Sequence, residues 1–436
     1  MTVRASGPLV KDLRVPGDKS LSHRALMFAA LARGTSRLSG LQSGLDVAAT
    51  RRALEALGVA IGDEGSQVIV EGLGLGGLRE PEDVLDCANS GTTLRLLAGI
   101  LAGHSFLSVL TGDRHLRRRP MARVLDPLRE MGALALGRGE DTLAPVVIRG
   151  GSLRAITWTP AAASAQVKSA ILLAGLHARG TTWVVEPVPT RDHTERMLAA
   201  MGARILREPG RVGIQGRGEL SAAQWAIPGD PSSAAFWAAA ALMVPESRVR
   251  VRGVSLNPTR TGFFRILERM GAPVRLEVTG EACGEPVGDV EVSYGPLEGV
   301  EVSPEEVPSA IDEFPVLAAV AAVARGETRI RGAEELRHKE SDRIDAVAGE
   351  LAKAGVPVET FPDGMTIRGG RPLAPARFRS HGDHRLAMAA GVLALAIPGG
   401  AEVQGAGAAA VSYPGFWQEL LGAEGPGAGR DEGGAP

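Results

Sequence analysis

The apolar positions of this chain follow two helical patterns in alternation. In the first, small apolar residues run round every side of a helix, as in "HRALMFAALARG" (23–34), "TTLRLLAGILAG" (92–103) and "KSAILLAGLHARG" (168–180). The same pattern returns in "SSAAFWAAAALM" (232–243), "FPVLAAVAAVA" (314–324) and "HRLAMAAGVLAL" (384–395). A helix apolar all round has to be buried. In the second pattern one face is apolar, and a glycine follows the last turn: "TRRALEALGVAI", "LDPLREMGALAL", "ERMLAAMGARIL", "FFRILERMGAPV", "AGELAKAGVPVE" and, degraded, "GFWQELLGAEG". Those glycines, 58, 132, 202, 271, 355 and 422, lie 67 to 84 residues apart. Glycine just past a helix end is the residue that tolerates the left-handed turn there. Each copy reads as a buried helix, a strand, an amphipathic helix stopped by glycine, and more strand. Six copies of about 70 residues cover nearly the whole chain.

This arrangement is neither a thin solenoid nor one doubly wound sheet. Three buried helices inside a shell of sheets and outer helices make one domain, and six make two. The expected fold class is α/β, with two domains of three repeated units each. Domain 1 comprises 1–17 plus 228–424, and domain 2 comprises 18–227. The Gly-rich end, 425–436, is expected to be a disordered tail. The chain is expected to cross between domains near 15–20 and 225–230.

Composition supports a globular protein, with 44% apolar and 22% charged residues. Aromatics are only 4%, so Ala, Leu, Val and Ile must fill the core. The 57 glycines show no collagen-like period and mark short turns. Lys plus Arg (48) nearly balances Asp plus Glu (50), which argues against a general nucleic-acid or membrane-surface binder. The N-terminal stretch has no apolar core of a signal peptide, and the run at 314–324 is far shorter than a membrane span. Cys87 and Cys283 match no disulfide or metal pattern. A soluble, cytoplasmic protein without metal or cofactor is expected.

The residues before the buried helices carry the chemistry: "GDKSLSHR", "NSGTTLR", "SAQVK", "GDPSS", "AIDE" and "GDHR". Helix N-termini offer unpaired N–H groups and partial positive charge, so they bind anions. Ser, Asp and Asn are also ordinary N-caps. Capping does not explain Lys19, Arg24, Lys168 and Arg385, because cations are disfavoured at a helix start. Six such starts facing one another predict a small, multiply charged anionic ligand. Elsewhere, "EGLGLGGL" (71–78) contains G-x-G-x-x-G but no helix follows, and "GDKS" lacks the upstream glycine of a P-loop. In "TGDRHLRRRPM" (111–121) the proline after Arg119 points to one arginine entering a site. The two histidines of "HGDHR" have no partner cluster for a metal. Asp312 at a helix mouth and the "HKESDR" cluster (338–343) offer paired acids and bases for proton transfer.

Ten motifs, "VPGDKSLSHRAL", "CANSGTTLRLLAG", "RRRPM", "SAQVKSAILLAGL", "RDHTERM", "GDPSSAAFW", "NPTRTGF", "AIDEFPVLA", "RHKESDRI" and "GDHRLAMA", occur in an order that resembles EPSP synthase. That family is the 3-phosphoshikimate 1-carboxyvinyltransferase of the shikimate pathway, and the similarity spans about residues 7–420. The resemblance implies a two-domain inside-out α/β barrel with three units per domain, and enolpyruvyl transfer from phosphoenolpyruvate to the 5-hydroxyl of shikimate 3-phosphate, by a monomer with no cofactor. It implies that Lys19 touches both substrates, that Ser20 and Arg24 hold shikimate 3-phosphate, and that Gln166 lies between the substrates. Ser164, Ala165, Arg191 and Lys339 would surround the shikimate phosphate. Gly91, Arg119, Arg343 and Arg385 would form the phosphoenolpyruvate pocket. Asp312 would take the hydroxyl proton and Glu340 would protonate the methylene carbon.

Four departures or branch marks stand out. The usual second serine before the glutamine is Ala165, for which Lys168 and Arg191 are expected to compensate. A lysine found in some members is absent from "AVSYP" (410–414), and the family's asparagine before the lysine–glutamate pair is Glu335. "GDKS", "SAQVK", "RDHTE" and "NPTR" resemble the class II branch, many of whose members tolerate glyphosate. Gly91 in place of alanine keeps the pocket roomy and implies the opposite. Inhibition at micromolar glyphosate, competing with phosphoenolpyruvate, would reject tolerance. The sister UDP-N-acetylglucosamine enolpyruvyl transferases usually carry a cysteine just before the arginine–proline pair, and "GDRHLRRRP" has none. A non-enzymatic anion-binding repeat protein would have no need of Asp312 and Glu340 together.

Overall fold

The computed structural model describes residues 1–422. The reading of 425–436 as a disordered tail falls outside them. Six inner helices occupy Lys19–Leu31, Gly91–Leu101, Ala165–Gly175, Pro231–Met243, Phe314–Val323 and His384–Ala394. Their burial follows from composition: from Pro231 to Met243 every residue is buried, and Ala at so many positions lets neighbouring elements approach closely. Six outer helices alternate with them, at Leu45–Ala56, Ala122–Glu130, His193–Ala200, Gly262–Arg269, Arg343–Lys353 and Phe416–Leu421.

The glycines end the outer helices for the expected physical reason. Gly58, Gly132, Gly202, Gly271 and Gly355 have φ between 81° and 105°. In each case two backbone bonds close the helix, as in Gly58 N–H to Glu55 O (3.0 Å) and Val59 N–H to Leu54 O (3.1 Å). The paired bonds satisfy carbonyls that a helix end otherwise leaves open. The residue three before the cap is a buried leucine every time: Leu54, Leu128, Leu198, Leu267 and Leu351. It faces the buried residue after the glycine, which completes the motif. Gly422 shares the positive φ (81°).

The strands make five four-stranded sheets and one three-stranded sheet among the described residues. The four-stranded sheets share one plan: a parallel edge pair, then two antiparallel neighbours. In the first, Gln224–Ala226 runs parallel to Arg33–Ser39, which pairs antiparallel with Gln67–Leu73, and that strand with Ala60–Glu64. The sheet of Arg248–Ser255 takes its parallel neighbour, Val10–Leu13, from the start of the chain. The three-stranded sheet borrows Thr2–Val3.

Two hydrophobic cores result. One gathers Val3, Val15 and residues from Ala234 to Leu420; the other gathers residues from Leu21 to Ile227, together with Cys283. The two connections between them run side by side, with Asp18 N–H on Pro228 O (2.8 Å) and Asp230 N–H on Pro16 O (2.9 Å). No helix among the described residues is long and apolar enough to cross a membrane.

Candidate active site

All six inner helices bring their starts to one cleft between the two cores, with an enclosed volume of about 140 Å³. Lys19 and Ser20, Gly91 and Thr92, Ser164 through Gln166, Asp230, Asp312 and Arg385 line it, and each stands at or just before the first turn of a different inner helix. Their local geometry is set by caps. The Asp18, Ser90 and Asp383 side chains accept from N–H groups of their own helices. Asp230 caps two helices at once, accepting from Ser232 N–H (2.7 Å) and from Lys19 N–H (3.2 Å) across the paired connections.

Eight lysines and arginines line the cleft against five carboxylates. Asp312 sits among cations: Arg191 Nη1 lies 2.7 Å from Oδ2, Arg343 Nη1 3.6 Å from Oδ1, Arg385 Nη2 3.7 Å and Lys339 Nζ 3.8 Å away. Burial alone would raise the Asp312 pKa. Arg191, Arg385, Lys339 and Arg260 outweigh it and hold the carboxyl well below the usual range. Glu340 follows the same logic. Burial opposes its charge, but Arg119, Arg343 and Lys19 keep it ionised, with Arg343 Nη2 at 2.7 Å and Arg119 Nη2 at 3.4 Å. Burial lowers the pKa of Lys339 despite Asp312 and Glu335 nearby. Arg119 Nε and Arg191 Nη2, on two residues that line the cleft, are buried without a hydrogen-bond acceptor among the described residues. Buried donors normally have partners, so this cleft is built to receive acceptor-rich anions.

Most of the residues singled out by sequence meet here: Lys19, Ser20, Gly91, Arg119, Ser164, Ala165, Gln166, Arg191, Asp312, Lys339, Glu340 and Arg385 all line the cleft. Arg24 and Arg343 do not; they sit one layer behind. Arg24 is 3% exposed and donates to Ser20 O (3.0 Å), Ser169 Oγ and Thr194 Oγ1 (both 2.8 Å), so it braces the backbone of Ser20. Arg343 pairs with Asp383 Oδ2 at 2.8 Å and with Glu340, the acid beside it. Lys168 corrects an expectation. It is turned into the protein, between Glu186 (2.9 Å) and Glu195 (2.7 Å), and compensates for nothing at Ala165. Its two carboxylates satisfy its charge where the cleft could not.

Sequence reasoning passed over several lining residues. Arg95 donates to Gln166 and to Pro120 O, and burial pushes its pKa to about 9. Arg260 joins Glu313 (2.7 Å) to Asp230 (3.4 Å). Both lie inside quoted motifs, so their signal was present. Asp46, which pairs with Lys19 at 3.1 Å, and Arg123 carried no signal of their own.

Comparison with known proteins agrees with this geometry. The family described as EPSP synthase (3-phosphoshikimate 1-carboxyvinyltransferase) matches residues 3–420. A 3-phosphoshikimate 1-carboxyvinyltransferase of Shouchella clausii is 50% identical over 417 residues, covering 96% of this chain and 97% of the relative. One from Carboxydothermus hydrogenoformans is 52% identical over 409 residues, covering 94% and 95%. An EPSP synthase structure from Acinetobacter baumannii superposes with a TM-score of 0.84 at 42% identity, covering 96% of each chain. With the family matched from end to end and the cleft in place, the chain belongs to the EPSP synthase family.

Proposed function

We propose that the cleft holds shikimate 3-phosphate and phosphoenolpyruvate side by side and transfers the enolpyruvyl group of the second to the 5-hydroxyl of the first. The products are 5-enolpyruvylshikimate 3-phosphate and phosphate. The observation that carries this reading is the convergence of six helix starts, Asp312 and Glu340 in one cation-rich cleft. Lys19, Ser20, Ser164, Ala165, Gln166, Arg191 and Lys339 hold the acceptor, with Arg24 acting through Ser20. Lys19, Gly91, Arg119, Gln166 and Arg385 hold the donor, with Arg343 behind Glu340. The halves, 1–17 with 228–424 and 18–227, close on both. One chain supplies both walls, so a monomer suffices.

As the 5-oxygen bonds to C2, its proton passes to Asp312. The π pair of C2–C3 takes a proton at C3 from Glu340, giving a tetrahedral intermediate. Loss of a proton from C3 re-forms the double bond while the C2–O bond to phosphate breaks. The depressed pKa values of both acids fit this only once the substrates are bound. The acceptor phosphate draws charge from Arg191 and Lys339, and the donor's carboxylate and phosphate from Arg119, Lys19 and Arg385. Removing that field raises both pKa values, making Asp312 a better base and Glu340 a usable acid. Lys19 and the arginines stabilise the phosphate charge throughout.

A phosphate-release assay with both substrates tests the proposal. The unaltered protein should turn over, and Asp312→Asn and Glu340→Gln should each lose about 10²–10⁴-fold in kcat, the usual contribution of a positioned acid or base. No release, or undiminished release from both variants, would sink it.

A further inference from the structure

Among the described residues three ion pairs cross the cleft from one half to the other: Arg191–Asp312, Arg119–Glu340 and Arg123–Glu335. The first two consist of groups the reaction itself employs, so bound substrate anions compete for them. The third does not. Arg123 stands at the start of the outer helix Ala122–Glu130, and Glu335 in the short turn of helix Glu334–His338. Their contact is a fork: Nη1 to Oε2 at 2.9 Å and Nη2 to Oε1 at 2.8 Å. The side chains are 20% and 21% exposed, so most of the pair is withdrawn from water. Planar two-point pairing of this kind is stronger and more directional than an exposed ion pair. Burial disfavours the Glu335 carboxylate, but Arg123, Lys339 and Arg95 together hold its pKa below the usual range.

We propose that Arg123 and Glu335 are positioning residues, a strut between the halves that draws the walls together before substrates arrive and persists while substrates displace the other two pairs. The departure at Glu335 then has a physical meaning. Both of its oxygens are engaged by Arg123, so it is a structural partner across the cleft and not a replacement hydrogen-bonding ligand for the acceptor. The strut favours the closed arrangement before substrates arrive, and thus lowers the cost of closing on them. Once both substrates are bound their own charges keep the cleft closed. Its loss is therefore felt in KM for both substrates and little in kcat.

Charge reversal tests this. Arg123→Glu and Glu335→Arg, each alone, should raise KM for both substrates by about tenfold, the equivalent of ~1.4 kcal/mol. The double variant, which restores an opposite pair, should recover most of that loss. Small-angle scattering of the substrate-free protein should show a larger radius of gyration for each single variant and a return toward the original value in the double. If a reversed variant fails to fold, Glu335→Gln, which keeps the shape and removes the charge, takes its place and should show the same rise and the same expansion. The proposal is overturned if the double variant is no better than the singles. It is also overturned if Glu335→Gln is unchanged while Glu335→Ala raises KM for the acceptor alone, because that is the signature of a direct ligand. The kinetic arm rests on the substrates proposed above. The scattering arm does not, so an unaltered protein that fails to turn over would count against that reading and leave the strut to be judged by its dimensions in solution.

Discussion

Lys19 and Lys168 stand in the first turns of two inner helices of the same half, and they meet opposite environments. Lys19 is the first residue of its helix; its side chain is 15% exposed, faces the cleft and has one carboxylate partner, Asp46. Lys168 is the fourth residue of its helix, 2% exposed, and is gripped by Glu186 and Glu195. A cation at a helix start is opposed by the helix dipole and needs compensating charge. Where the protein supplies it in full, the lysine is scaffold. Where supply is partial, as at Lys19, room is left for an anionic ligand. Arg24 shows an intermediate solution. Its bonds go to hydroxyls and a carbonyl, and burial lowers its pKa to about 10.

Exchanging each lysine for methionine breaks the comparison most sharply. Lys168→Met leaves the buried Glu195 and the half-buried Glu186 without their cation and should cost about 3–5 kcal/mol of stability, read from chemical denaturation. Lys19→Met strips one carboxylate, Asp46, of its cation and should cost less stability than Lys168→Met, which strips two. It should instead lower kcat/KM by roughly 10²–10³-fold through lost charge stabilisation. If the two variants lose stability and activity in equal proportion, the division between scaffold and ligand cation is wrong.

The two helical patterns and their glycine stops were legible in the sequence because each rests on local physics, a 3.6-residue period and a left-handed cap. Gathering six helix starts into one site was legible because the pattern repeats. The fate of each cation was not. Lys168 is neutralised by Glu186, just past the next strand, and by Glu195 of the next helix, whose approach no spacing announces. Arg123 and Glu335 meet across 212 positions. The hairpin Val274–Ala282 and Glu285–Ser293 belongs to one half, yet Cys283 at its tip packs in the core of the other, beside the buried pair Glu285–His193 (2.8 Å). Such contacts come from how whole units dock, and a local pattern does not encode that.

The Lys168 helix also differs at its far end, where His177 packs beside His104. Burial, with His104 close by, pushes the His177 pKa to about 3; burial does the same to His384 at the cleft, with Lys19 and Arg385 adding to it. Above pH 6.5 both are neutral, folded or unfolded, and contribute nothing. Below it the unfolded chain takes up protons that the folded one refuses, so stability falls as pH drops from 6.5 toward 3. At pH 5 each imidazole should account for about 2 kcal/mol. Denaturation at pH 7 and pH 5 checks this: His177→Asn should flatten the pH dependence by about that amount. The flattening should persist with substrates bound, since His177 is remote from the cleft, whereas the His384 share should shrink as anions neutralise Lys19 and Arg385. An unchanged slope in His177→Asn would show that the folded protein protonates this histidine after all.

The smallest change concerns the inner helix whose cation, Arg95, is its fifth residue. Gly91 opens its inner helix, and a methyl group there would lie 3.0 Å from Arg95 Nη1 and 3.1 Å from Arg119 Nη1. Contacts that short require the guanidinium groups to move by a few tenths of an ångström, and neither moves without cost. Arg95 is held by Gln166 and Pro120 O, and Arg119 by Asn89 Oδ1 at 2.7 Å. Gly91→Ala should therefore displace Arg119, which holds the donor, while Arg95 touches the acceptor's ligands only through Gln166. KM for phosphoenolpyruvate should rise by about tenfold or a little less, the low end of the ~1–3 kcal/mol that overpacking costs. KM for shikimate 3-phosphate and the melting temperature should stay the same. An unchanged donor KM would mean that Arg95 and Arg119 have slack that their partners do not reveal. The cleft would then owe its donor affinity to the charges at its helix starts and not to how closely they pack.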